Sequence, residues 1–174
     1  MSKNFVESKT GLFPYNRKAA YNYAKRWALS RNPKYYDFQH IGGDCTNFAS
    51  QVLHAGGCKM NGGKWQGWYY YSANNRAPAW TGVEYLYNFL INNDSRGPIV
   101  KISDINEVEV GDLIQLNFGI DDGFDHTPVI IRIEEPRKPE NIFIAAHTYD
   151  RFDYPLSNYV YENIRYIHIL GYKK

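Results

Sequence analysis

The feature that most constrains this chain is a change in apolar periodicity near residue 99. Before it, apolar residues recur at three- and four-residue steps, as in Ala19, Ala20, Tyr23, Ala24, Trp27 and Ala28, the period of an amphipathic helix. After it, short apolar runs rich in β-branched and aromatic residues lie between turn-forming residues, the pattern of strands. The first helix is expected to open at Pro14 and to stop at the breaker Asn32-Pro33. A second is expected from Cys45 to about His54, with Asp44 as N-cap and Gly56-Gly57 closing it. A third is expected to start at Thr81, with Glu84 completing a capping box, and to end near Asn92-Asn93. Residues 57–79, rich in Gly, Asn, Trp and Tyr, read as a long surface loop. Strands are expected at 112–117, 126–133, 142–148 and 164–170, with turns at Gly119–Gly123 and Glu134–Asn141. Helices first and an antiparallel sheet afterwards is an α+β order. Residues 1–13 read as a leader and 14–174 as one domain.

Composition removes several classes. With 44% hydrophobic and 22% charged residues among 174, the chain is globular. Its net charge is +2, with Lys and Arg scattered, so the clustered footprint of a nucleic-acid binder is missing. A weakly basic surface tolerates an anionic polymer such as a bacterial cell wall. No run approaches the ~18 apolar residues of a spanning helix, and residues 1–15 lack the apolar centre of a secretory signal. The chain therefore reads as cytoplasmic as it stands, or as an excised or otherwise exported piece. Two cysteines, Cys45 and Cys58, make neither a disulfide framework nor a zinc pattern. No metal or cofactor is called for.

Cys45 carries the strongest chemical signal. In Gly42-Gly43-Asp44-Cys45-Thr46-Asn47-Phe48-Ala49-Ser50-Gln51 the thiol falls in the first turn of a helix. Orphan N–H groups and the macrodipole there favour a thiolate. At ~100° per residue, Cys45 shares a stripe with Phe48, Ala49, Val52 and Leu53 and faces the sheet, while His54 points away. Gly42-Gly43 suggests an open approach to the sulfur, which a core residue would not need.

A thiol nucleophile needs a base, usually histidine, held by a third group. His40 lies on the entry loop, His54 faces away and His168 sits within a strand, which leaves His126 and His147. His126 follows a polar turn and opens a strand, so it can reach a groove. Pairing Ile133 with Ile142 sets His126 opposite Tyr149 and His147 diagonally beside His126, within roughly 8 Å. His147 is then the preferred orienter of His126 and Asp150 the second choice. A one-residue slip would reverse the faces.

Taken together, the Cys45 motif, Ser72 with Pro78-Ala79-Trp80, Val110-Gly111-Asp112-Leu113-Ile114-Gln115, Asp125-His126-Thr127-Pro128-Val129-Ile130 and Ala146-His147-Thr148 resemble the bacterial "putative amidase domain" family over about residues 14–170. That family is similar to the papain-like cell-wall cysteine hydrolases, beside the CHAP and NlpC-type peptidases. The resemblance implies a papain-like fold, with N-terminal helices packed on a C-terminal antiparallel sheet. It implies Cys45 as nucleophile, His126 as base, a polar third residue at His147 and peptidoglycan as substrate. For the oxyanion it points to the Cys45 N–H with Gln39, by papain-like spacing, or with Tyr36, as in NlpC-type enzymes. Asp44 reads as an N-cap, with substrate binding or shaping of the Cys45 loop as the other option. Trp65, Trp68, Tyr69 and Trp80 either wall a substrate groove or pack over the helices. The same pair could serve a transpeptidase or a protein-directed protease or deamidase, and a non-catalytic wall-binding module is the rival outside enzymes. Neither the bond cut nor the oligomeric state follows from these residues.

Overall fold

Four helices pack on one face of an antiparallel sheet in the computed structural model, which describes residues 11–63 and 66–174. Helix α1 spans Arg17–Trp27, and Asn16 caps it by accepting from the Ala19 N–H. Helix α2 spans Cys45–Ala55. Between residues 57 and 79, where a plain loop is expected, strands β1 (Tyr70–Ser72) and β2 (Asn75–Arg76) form a small hairpin. The expected third helix is two: α3 (Pro78–Thr81) and α4 (Val83–Asn92). The break falls at Gly82, whose extended backbone supplies the N-cap of α4. Glu84 builds no capping box; its carboxylate accepts from the Phe124 N–H and from Arg165.

Strands β3 (Gly97–Ser103), β4 (Leu113–Asn117), β5 (Val129–Ile133), β6 (Ile142–Ala146), β7 (Arg151–Pro155) and β8 (Asn163–Lys173) form one antiparallel sheet in the order β3-β8-β4-β5-β6-β7. The α+β class stands. The two strands that periodicity misses, β3 and β7, are the sheet's edges. Edge strands need no apolar alternation and are often blunted by proline and charge, here by Pro98, Lys101 and Asp153. At the other end of the chain, Phe13 pairs with Tyr172 through two backbone hydrogen bonds. The last residue of the expected leader thus joins the domain, while residues 1–10 lie outside the described residues.

The sheet carries a core on each face. Leu113, Val129, Ile131, Ala145, Ile167 and Ile169 meet the helices, whereas Ile114, Leu116, Ile130, Ile144 and Ala146 meet Leu156 on the far side. A β-bulge between Ile130 and Arg132 decides which β5 residues face which way. Helix α2 is buried all round, not along one stripe: every residue from Cys45 to Leu53 is inaccessible to solvent or nearly so. Its polar side chains are accordingly paired. Ser50 accepts from Trp68 Nε1, Asn47 accepts from Trp80 Nε1, and Gln51 accepts from the Tyr23 hydroxyl.

Away from α2, the fully buried Asp112 ties α1 to β4 and β8. It accepts from Arg17 (2.7 Å), His168 Nδ1 (2.6 Å) and the backbone N–H groups of Glu109 and Ile169. His168 is therefore a satisfied strand histidine. Asp112→Ala leaves two backbone donors unpaired and takes a carboxylate from the half-buried Arg17, which keeps Glu109 and two carbonyls. Urea unfolding of that variant is expected to show a loss of about 3 kcal/mol; a loss below about 1 kcal/mol would contradict this account of Asp112.

Candidate active site

The start of α2 is held by a carboxylate that its own helix does not use. Asp44 occupies the N-cap position, yet its side chain makes no capping bond. Fully buried, it accepts instead from the Phe38 N–H (2.9 Å) and from Asn47 Nδ2 (2.8 Å) through Oδ1, and faces His147 Nδ1 at 2.5 Å through Oδ2. Arg31 Nε lies 3.5 Å from the same Oδ2. This corrects the N-cap expectation in favour of shaping the Cys45 loop, and burial leaves Asp44 no face to offer a substrate.

The two glycines ahead of it have a backbone reason. Gly42 and Gly43 adopt φ of +87° and +100°, in the left-handed region that disfavours a side chain. At Gly43 an added Cβ would also lie 3.2 Å from Thr148 Oγ1. That hydroxyl accepts from the Asp44 N–H at 2.7 Å, so the β6–β7 turn is stitched to the residue before Cys45. Gly43 serves this close approach, and Gly42 the positive-φ turn ahead of it.

Cys45 is 6% exposed, in the first turn of α2, where its N–H has no helical acceptor. Burial raises its thiol above the ordinary value, with a smaller push in the same direction from the Asp44 carboxylate. The N–H of Thr127 and the hydroxyl and N–H of Thr46 oppose this without overcoming it. The expected resting thiolate is thus corrected to a buried neutral thiol. Cys58, wholly buried, is raised by burial as well and packs in the helix-side core. His54 Nδ1 donates to the Cys58 carbonyl and takes no part in this site.

His126 stands at the mouth of β5, bridged to Leu116 of β4. Burial alone takes its pKa down to about 4, so the ring is neutral near pH 7. Its Nε2 lies 3.2 Å from the Tyr159 hydroxyl, and its ring packs against Phe118 and Tyr159. Among the described residues no hydrogen bond joins it to Cys45. Thr127, next in sequence, does lie against the start of α2: its backbone N–H faces the Cys45 sulfur, and its Oγ1 lies 3.1 Å from Thr46 Oγ1.

His147 goes elsewhere. The expected Ile133–Ile142 pair forms, but the bulge after Ile130 advances the register by one, so that Ile130 faces Ile144 and Val129 faces Ala145. That slip sets His147 on the helix side of the sheet, stacked on Phe48 at 4.2 Å, and away from His126. Its Nε2 donates to the Trp27 carbonyl (2.8 Å), and its Nδ1 meets Asp44. Asp150, the second choice, forms a bidentate pair with Arg31 (2.9 and 3.0 Å). Neither orients His126.

The remaining candidates divide. Gln39 offers its Oε1 to Arg31 at 2.6 Å, which leaves its amide nitrogen as a donor. Tyr36 is half exposed and tied through its backbone to the Tyr70 hydroxyl and Asn47. Trp68 and Trp80 are wholly buried with ring centres 4.8 Å apart, so they are core and not groove. Tyr69 is half-buried and stacks on the exposed Tyr71. Trp65 lies outside the described residues. Sequence reasoning missed Arg31, whose partners Asp37, Asp44 and Asp150 come from three separate segments, along with Thr127 and Tyr159. Spacing carries no signal for such convergence.

A family model described as a putative amidase domain matches residues 14–170 of this chain, and the chain belongs to that family. It is also 32% identical over 140 residues to the uncharacterized protein YhbB of Bacillus subtilis, an alignment that takes in 79% of this chain and 43% of that protein. The chain thus spans less than half the length of that relative. No solved structure matches it. No helix among the described residues is long and apolar enough to cross a membrane.

The buried neutral imidazole makes stability depend on pH. Its folded pKa of about 4 lies below the 6.5 of a free imidazole. Between these values the unfolded chain takes up a proton that the folded chain does not. Stability from this group is complete above about pH 6.5 and is lost as pH falls toward 4, in all about 3 kcal/mol. The wild type is therefore expected to lose more stability than His126→Gln between pH 7 and pH 5 in urea titrations. Parallel losses in the two proteins would show that His126 is not buried neutral.

Proposed function

We propose that this member of the amidase domain family hydrolyses an amide bond by acyl transfer through Cys45, with His126 as base and peptidoglycan as the substrate. The observation that carries the proposal is the placement of Cys45. Its sulfur sits at a helix start, against the N–H of Thr127, the residue that follows the strand-mouth histidine His126. A helix-borne cysteine packed on an antiparallel sheet also supports kinship with the papain-like CHAP and NlpC-type hydrolases. The family's name speaks for amide hydrolysis. The cell-wall substrate rests on the resemblance of the Cys45 and His126 motifs, and the site of action would be reached by an exported or excised domain.

The protonation states shape the mechanism. A thiol raised by burial and an imidazole lowered by burial rest as a neutral pair, not as thiolate and imidazolium. His126 then takes the thiol proton as Sγ attacks the carbonyl carbon, so that charge separates only when substrate is present. The tetrahedral oxyanion is met by the Cys45 N–H. The Gln39 amide, turned by Arg31 so that its nitrogen is the free donor, is the second contact in this proposal. Collapse gives a thioester as His126 returns the proton to the leaving amine. His126 next activates water, and hydrolysis frees the acid and restores the thiol.

The test is hydrolysis of purified bacterial sacculi, with newly freed amino groups identified by mass. Wild type is expected to release them, and Cys45→Ala to do so at least about a thousandfold more slowly. Equal release by the two proteins, or none by the wild type, would contradict the proposal.

A further inference from the structure

The structure assigns a positioning role to Tyr159: its hydroxyl oxygen accepts the Nε2–H of His126 and so fixes the tautomer that leaves Nδ1 free to act as base toward Cys45. This rests on the reading of Cys45 and His126 as the reacting pair, and it gives that pair the third member that neither His147 nor Asp150 supplies.

Geometry excludes the alternatives one by one. Both nitrogens of His147 are engaged, by Asp44 and by the Trp27 carbonyl. Asp150 is engaged by both terminal nitrogens of Arg31. Asp125, next to His126 in sequence, turns its carboxylate to the Phe118 N–H at 2.8 Å. The Tyr159 hydroxyl, 3.2 Å from Nε2, is the hydrogen-bond partner of the His126 side chain among the described residues. Nδ1 makes no hydrogen bond there.

The tyrosine is built to hold still. It follows the 3-10 turn Leu156–Asn158, its N–H bonds the Leu156 carbonyl, and Leu156 is wholly buried in the far-side core. Its ring meets Phe118, His126 and Tyr154 at centroid distances of 6.1, 5.4 and 5.4 Å. An imidazole clamped between Phe118 and Tyr159 cannot rotate freely about χ2, so the hydroxyl fixes which nitrogen points where.

The proton count follows. A neutral imidazole carries one N–H. With that hydrogen on Nε2, the tyrosine oxygen accepts it and the Nδ1 lone pair is available for the thiol proton. The opposite arrangement would place the hydrogen on Nδ1 and leave no base for Cys45. Burial keeps Tyr159 a neutral phenol. It therefore orients His126 without forming an ion pair, in keeping with a ring that rests uncharged.

The test reads the tautomer directly. Long-range proton–nitrogen NMR correlations at pH 7 are expected to show His126 as the Nε2–H form in the wild type and as a mixture of both forms in Tyr159→Phe, which keeps the ring. The maximal rate of amine release from sacculi is expected to fall about ten- to a hundredfold in that variant, while the amount of sacculi needed for half the maximal rate stays the same. An unchanged tautomer in Tyr159→Phe, or a rate within twofold of wild type, would overturn Tyr159's role and leave Cys45 and His126 standing, whereas an Nδ1–H form in the wild type would overturn that role and His126 as base together. Full activity of Cys45→Ala would overturn the pair and with it the role, whatever the tautomer, since the NMR result needs no substrate.

Discussion

A single buried carboxylate, that of Asp44, determines where the start of α2 sits. Its two oxygens gather the Phe38 N–H from the entry loop, Asn47 from the first turn of α2 and His147 from the end of β6. Its own N–H reaches Thr148 in the β6–β7 turn. Three segments therefore converge on the residue before Cys45. A buried charge without partners would cost several kcal/mol, so the fold must bring all of these groups into place before the helix can start here. Gly42 and Gly43 make the turn that allows it, and Arg31 closes the shell by joining Asp37, Gln39 and Asp150. The position of the thiol is a consequence of satisfying Asp44.

Burial also sets the chemistry. The same exclusion of water that raises the Cys45 thiol lowers the His126 imidazole, because both charged forms lose solvation. The Asp44 side chain next to Cys45 in sequence adds a smaller push against a thiolate. In the proposed mechanism the proton therefore moves during attack, with a neutral phenol at Nε2 in place of a carboxylate.

Much of this was open to reading from the residues. Three-residue steps marked α1 and α2, the Asp44–Cys45 junction marked a helix start, and β-branched runs marked β4, β5, β6 and β8. The Ile133–Ile142 pair followed from turn position. What was not legible has identifiable causes. One extra residue in the bulge between Ile130 and Arg132 turns His147 to the opposite face, and no local pattern announces it. The edge strands β3 and β7 lack alternation because one side of each has no neighbour to satisfy. Gly82 starts α4 where Thr81 offered the better side chain, because α3 already ends at Thr81. Tyr159 is one of 16 tyrosines, and only tertiary structure separates it from the rest.

The account stands or falls on a covalent bond at one sulfur. Acid quenching during turnover on sacculus fragments, followed by peptide mass analysis, measures it most directly. The account predicts an acyl group on the peptide that contains Cys45, removable by hydroxylamine as a thioester is, and none on the peptide that contains Cys58. Sustained amide hydrolysis with Cys45 unmodified at every time point would contradict it.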